Sequence, residues 1–232
     1  MPTPPPDRTR WLGLGIEHDP RRHAMHELVT TLRALARDVA TTDVETADAP
    51  AVDDVLAAAT ALRDGVRALP RLDTTPARAQ LPASYLFERS PVTGRMNAVA
   101  APLAMTFNGS SATATVTYTE QYEGPAGGVH GGVIAAAFDE LLGVAQMATD
   151  RPGYTAGLEI RYRSITPLHE PITYEAWIED QDGPRLVMAG RSMAGDRLCA
   201  EATGVFARPN NRTIDEGPAH TRTAAPSGAA DG

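Results

Sequence analysis

The chain has 232 residues, 42% of them hydrophobic and 22% charged, which is enough apolar material for one large domain or for a core domain with an appendage. Its net charge of -8 argues against a nucleic-acid partner, which would need a basic face, and no apolar run is long enough to span a membrane. The single cysteine, Cys199, rules out an internal disulfide and a cysteine-based metal cage.

Residues 1–20 begin with four prolines in the first six positions and lack the apolar stretch of a signal peptide. The segment is expected to be disordered and the compartment cytosolic. Met25, Leu28, Val29, Leu32, Leu35, Ala36 and Val39 then recur at helical spacing and predict an amphipathic helix over 21–40. Val52, Val55, Leu56, Ala59, Leu62, Val66 and Leu69 predict a second, with Asp48, Pro50, Asp53 and Asp54 at its positive end and a stop before Pro70. Two helices with one apolar stripe each do not make a stable domain. The extension at 21–70 is therefore expected to pack on itself and on the rest of the chain, or on a second copy, as a cover; an independent partner-binding hairpin is the alternative. His23 and His26, three apart, read as a solvated face.

Residues 71–83 turn to Thr, Pro, Ala and Arg, the composition of a linker, and an irregular lead-in follows at 84–102. Strands are predicted at 103–107 and 112–119, joined through Asn108-Gly109-Ser110-Ser111 as a hairpin, the second with one wet face. After the helix described next, the pattern gives strands at 155–163, 172–179, 186–193 and 198–207, and residues 209–232 read as a disordered tail.

The most informative stretch is 123–148, where a glycine-rich turn runs into a helix that is apolar nearly all round. Such a helix belongs in the middle of a protein. Its polar exceptions, Asp139 and Glu140, carry information because an unpaired carboxylate in such a setting costs free energy. Gly127, Gly128, Gly131 and Gly132, with His130 among them, leave the first backbone N–H groups of the helix open to a ligand oxygen. The Gly131 N–H is placed to polarise a carbonyl, and Asp139 to act as general base or nucleophile. Glu140, on a more apolar row of the helix, reads as the rival carboxylate or as half of a structural ion pair. Gly132, Ala136, Asp139, Gly143 and Gln146 form a stripe of small and polar residues suited to close approach by a ligand or a second subunit. His18, His23, His26, His169 and His220 show no metal-ligand spacing around this helix.

His130-Gly131-Gly132 followed by Asp139, nine positions after the histidine, resembles the signature of the hotdog-fold acyl-CoA thioesterases, in particular the phenylacetyl-CoA thioesterase-like branch. The run from Tyr154 to Arg163 resembles that family's next strand, with Thr155 at its hydroxyl position, and the likeness covers roughly residues 85–208. The resemblance implies an α+β hotdog domain at 84–208, an antiparallel sheet wrapped around a central helix, preceded by the two-helix extension. It implies hydrolysis of acyl-CoA, with coenzyme A as part of the substrate and no other cofactor. Gly131, His130, Asp139 and Thr155 would be catalytic, and Gly132, Asn97 and Glu140 would meet the substrate. In the family the lead-in has an Asn-Pro pair; here Asn97 precedes Ala98, and a turn-capping role for Asn97 stands beside the substrate role. The family builds each site from the glycine of one subunit and the carboxylate of another, so a homodimer or a dimer of dimers is expected. Arg161 and Arg163 are candidates for the coenzyme A phosphates. The competing readings are a non-catalytic acyl-CoA binding protein on the same fold, an enoyl-thioester hydratase, and an assembly partner acting through its helical N-terminus.

Overall fold

The structure, a computed structural model, describes residues 19–71, 87–108, 111–147, 149, 153–181 and 185–207. Of the expected disordered segment at 1–20 and the linker at 71–83, residues 1–18 and 72–83 lie outside the described residues, as does the expected tail at 209–232; Pro20 already belongs to a helix.

Two helices lead, α1 (Pro20–Ala40) and α2 (Ala49–Arg67). The hairpin of β1 (Ala104–Asn108) and β2 (Ser111–Thr117) follows, then a short 3-10 turn at Glu120–Tyr122 and the central helix α3 (Gly131–Gln146). Four long strands follow: β3 (Tyr154–Tyr162), β4 (Pro171–Asp180), β5 (Arg185–Ala194) and β6 (Arg197–Ala207). The six strands form one antiparallel sheet in the order β1-β2-β4-β5-β6-β3, which leaves β3 at an edge. This is the α+β hotdog layout, a sheet curled around one helix with two helices ahead of it.

The alternation of side chains in the strands explains the wrapping. Ala112, Ala114 and Val116 of β2, Ile172, Tyr174 and Ala176 of β4, and Leu186, Met188 and Ser192 of β5 all turn inward and are buried. Their common partner is α3, whose Phe138, Leu141 and Leu142 are fully buried. Removing each of these large side chains from water stabilises the fold by roughly 1.5–3 kcal/mol. Gly190 and Gly204 make the close fit possible. A Cβ at Gly190 would meet Leu142 and Phe138 at 3.4 Å and the Glu175 carbonyl oxygen at 2.8 Å, and one at Gly204 would meet Leu142 at 3.0 Å. Phe138 also packs edge-on against Tyr174, ring centroids 5.1 Å apart.

α1 lies against the 3-10 turn and the segment 88–100, with Val29 its only buried residue, while α2 buries none and leaves Val52, Val55 and Leu56 half exposed or more. His26 is not on a solvated face. Its side chain is 12% exposed, and its Nε2 lies 3.4 Å from Glu88, which also pairs with Arg22. Arg22, His26, Val29 and Arg33 follow one another at four-, three- and four-residue steps, so one face of α1 is a mostly polar stripe turned toward the protein. No described helix is long and apolar enough to cross a membrane.

Candidate active site

His130 is the N-cap of α3. Its Nδ1 accepts the Gly132 N–H at 3.0 Å, while its carbonyl takes the Val133 and Ile134 amides. An Nδ1 that accepts leaves Nε2 as the protonated nitrogen of the neutral ring, so the imidazole offers a donor there. The Gly132 amide is thus used within the turn. The Gly131 N–H, at the first helical position, has no intrahelical acceptor and finds none elsewhere among the described residues. It is the open donor at the positive end of the helix. The Tyr162 hydroxyl donates to the Gly131 carbonyl at 2.8 Å. A Cβ on residue 131 would stand 3.1 Å from that hydroxyl.

Two turns further along α3, Asp139 is exposed on a helix whose neighbouring positions 137, 138, 141 and 142 are buried. The Thr155 hydroxyl donates to Asp139 Oδ1 at 2.9 Å and leaves Oδ2 free of that bond. The contact depends on how β3 is fixed to the end of the helix. Gln146, buried, donates from Nε2 to the Gly153 carbonyl at 2.8 Å and accepts the Gly153 N–H on Oε1 at 2.9 Å. This two-pronged bond holds the start of β3 against α3 and sets Thr155 beside the carboxylate. Nothing in the sequence pattern marked Gln146 for this task, because its acceptor and donor are both backbone.

The remaining expected residues fall elsewhere. Glu140 accepts from the Thr93 hydroxyl at 3.0 Å and ties the lead-in segment to α3. Asn97 caps a turn: its Oδ1 accepts the Val99 N–H at 3.1 Å and its Nδ2 donates to the Arg89 carbonyl at 3.4 Å. Arg161 and Arg163 pair with Glu159 and Glu201 on the exposed side of the sheet.

Between the start of α3 and the lead-in lies a cavity of about 490 Å³. Val133, Ala136 and Ala137 of α3 form one side, Val92, Ala98, Val99 and Ala101 the other, with Tyr118 and Tyr122 also lining it. His130 and Gly132 stand in the same lining, so the apolar cavity adjoins the helix start. The Tyr118 and Tyr174 hydroxyls are 2.9 Å apart, and burial pushes both phenols well above the usual 10.0, which keeps them neutral. The sequence reading missed Tyr118 and Tyr122 here, since Tyr118 falls in a predicted strand, where an aromatic residue reads first as core, and Tyr122 sits in a short turn without a pattern of its own.

Residues 126–201 match the model of the thioesterase superfamily. A crystallised thioesterase superfamily protein is 29% identical over 79% of this chain and 94% of its own length, with a TM-score of 0.66. The E. coli PaaI protein, from the phenylacetic acid degradation operon, aligns at 16% identity over 55% of this chain and 90% of its own, with a TM-score of 0.48. Zebra fish thioesterase superfamily member 2 aligns at 20% over 52% and 89%, with a TM-score of 0.45. The matched stretch contains His130, Gly131, Asp139 and Thr155, so the segment bearing these residues is similar to the thioesterase superfamily, and the fold is that of the 29% identical crystallised thioesterase superfamily protein.

Proposed function

We propose that this chain hydrolyses acyl-CoA thioesters to the free acid and coenzyme A, as a homodimer or a dimer of dimers. The observation that carries the reading is the pairing of an open Gly131 N–H with a Thr155-bonded Asp139 on one helix, beside an apolar cavity. The acyl group would lie in the cavity with its carbonyl oxygen at the Gly131 N–H, a contact that strengthens as the oxygen gains charge. A water oxygen attacks the carbonyl carbon while Asp139 takes its proton; the C–S bond then breaks and the thiolate leaves with a proton as coenzyme A. In the other route the carboxylate itself attacks, and water cleaves the resulting anhydride. Thr155 holds Asp139 in place in both.

Helical geometry supports a second copy. Gly131 and Asp139 are eight residues apart, roughly 12 Å along the axis, whereas both groups must come within about 3 Å of one thioester. One helix does not serve both ends of one carbonyl. Gly131 of one chain with Asp139 of another does, and β3, a sheet edge with Tyr154 and Tyr162 more than half exposed, supports such an association.

The test is release of free thiol from short, medium, long and aromatic acyl-CoAs by wild type, Asp139→Asn and Glu140→Gln. The proposal expects turnover that disappears in Asp139→Asn and falls far less in Glu140→Gln. Wild type that binds the thioesters and cleaves none would replace hydrolysis with a binding function.

A further inference from the structure

The segment 89–103 forms one wall of the cavity, yet it has no helix or strand of its own, and its shape is fixed by successive tight turns. Gly94 N–H bonds to the Ser90 carbonyl, Asn97 N–H to Gly94, and Ala100 N–H to Asn97, at 3.0–3.2 Å. Each turn leaves a carbonyl oxygen with a second lone pair to satisfy. Two of them, together with the Ala100 carbonyl at the end of the last turn, converge on a single side chain. Arg33 of α1 donates from Nη2 to the Gly94 carbonyl at 2.8 Å and the Asn97 carbonyl at 2.9 Å, and from Nε to the Ala100 carbonyl at 3.0 Å. The Ala100 oxygen accepts a second bond from the Tyr122 hydroxyl at 2.9 Å. A planar guanidinium with donors in a fixed fork can serve three carbonyls at once; an ammonium acts as a point charge without that fork. Earlier on the same face of α1, His26 and Arg22 meet Glu88 at the start of the segment.

We infer that Arg33 is a positioning residue for substrate selection: from outside the cavity it holds the turns that carry Ala98, Val99 and Ala101, and so sets the length and width available to the acyl group. The inference rests on the acyl-CoA reading for its substrate, though the brace itself does not. Thr93, bonded to Glu140, pins the same wall from the α3 side, so the wall is fixed at two points and the span between them depends on α1. The extension is thereby part of the pocket, reached through backbone carbonyls.

The experiment uses the full chain with Arg33→Gln and Arg33→Lys, and reads amide exchange alongside kcat and KM over the acyl-CoA panel. In Arg33→Gln the Asn97 and Ala100 amides exchange about tenfold faster or more, because three charge-assisted bonds that steady their turns are gone. KM for the preferred thioester rises by about tenfold with kcat little changed, and the preference among chain lengths flattens. Arg33→Lys, which keeps the charge but not the fork, falls between and guards against misreading a misfolded Arg33→Gln protein. Unchanged exchange overturns the brace. Faster exchange with an acyl preference of wild-type shape overturns the role in selection. Wild type that releases no thiol would defeat the hydrolase reading alone, since exchange needs no substrate and dissociation constants for the same panel then report selection.

Discussion

Gly131→Ala separates catalysis from folding. The added methyl would stand 3.1 Å from the Tyr162 hydroxyl oxygen and 3.2 Å from its Cζ, so the ring and the first turn of α3 must part by a few tenths of an ångström. Residue 131 has no positive φ, and alanine is the better helix former by up to about 1 kcal/mol, so the propensity gain and the steric cost nearly cancel. Stability is expected to stay within about 1 kcal/mol of wild type, read as a thermal midpoint shift of no more than about 4 °C for a chain of this size. Turnover behaves differently. The methyl stands beside the N–H that the carbonyl must approach, and a misplacement approaching 1 Å costs up to about a hundredfold in rate. Thiol release on the best acyl-CoA is therefore expected to fall about ten- to a hundredfold. Adding Tyr162→Phe to Gly131→Ala removes the nearest atom and recovers part of the rate. Turnover of Gly131→Ala within twofold of wild type would refute the argument, because the carbonyl would then not sit at the Gly131 N–H.

Thr155→Val keeps the shape of the side chain and removes its hydroxyl, and is expected to lower kcat about tenfold with KM unchanged and to be rescued by Thr155→Ser, as steady-state kinetics would report. Gln146→Leu leaves the Gly153 N–H and carbonyl without their partner at a part-buried site and is expected to cost about 1 kcal/mol, measured by urea unfolding. Burial, and next the charge of Arg95, hold His26 below its ordinary 6.5, against the opposing pull of Glu88. The unfolded chain therefore takes up this proton first. The contribution to stability is complete above about pH 6.5 and is lost as pH falls through the lower folded value. Thermal midpoints recorded between about pH 7.5 and 5 are expected to fall less steeply in His26→Gln than in wild type, and equal slopes would contradict this.

Much of the fold is legible in the residues. An apolar helix all round at 131–146 has nowhere to lie except inside a sheet, and the period-2 strands after it supply that sheet. Asp139 stands out because a carboxylate on such a helix needs a reason to be there. Less legible is everything whose partner is backbone. Arg33 leaves no mark in the sequence pattern, because the three carbonyls it serves belong to an irregular segment with no side-chain signature. Gln146 is hidden for the same reason, whereas Asn97 takes the turn-capping role that its place in the lead-in suggests. The periodicity of α1 and α2 marks their apolar stripes but not the polar residues through which α1 docks. In the described residues α1 docks through Arg22, His26 and Arg33, and the apolar positions of α2 stay exposed.

The site shared between two chains can be tested by mixing. Gly131→Ala and Asp139→Asn, each impaired alone, are unfolded together in equal amounts, refolded, and assayed for thiol release. Half of the dimers then combine one chain of each kind, and a mixed dimer has one site with both defects and one with neither. The mixture is expected to regain about one quarter of wild-type activity. Activity no greater than the average of the two parents would contradict a site built from Gly131 of one chain and Asp139 of its partner.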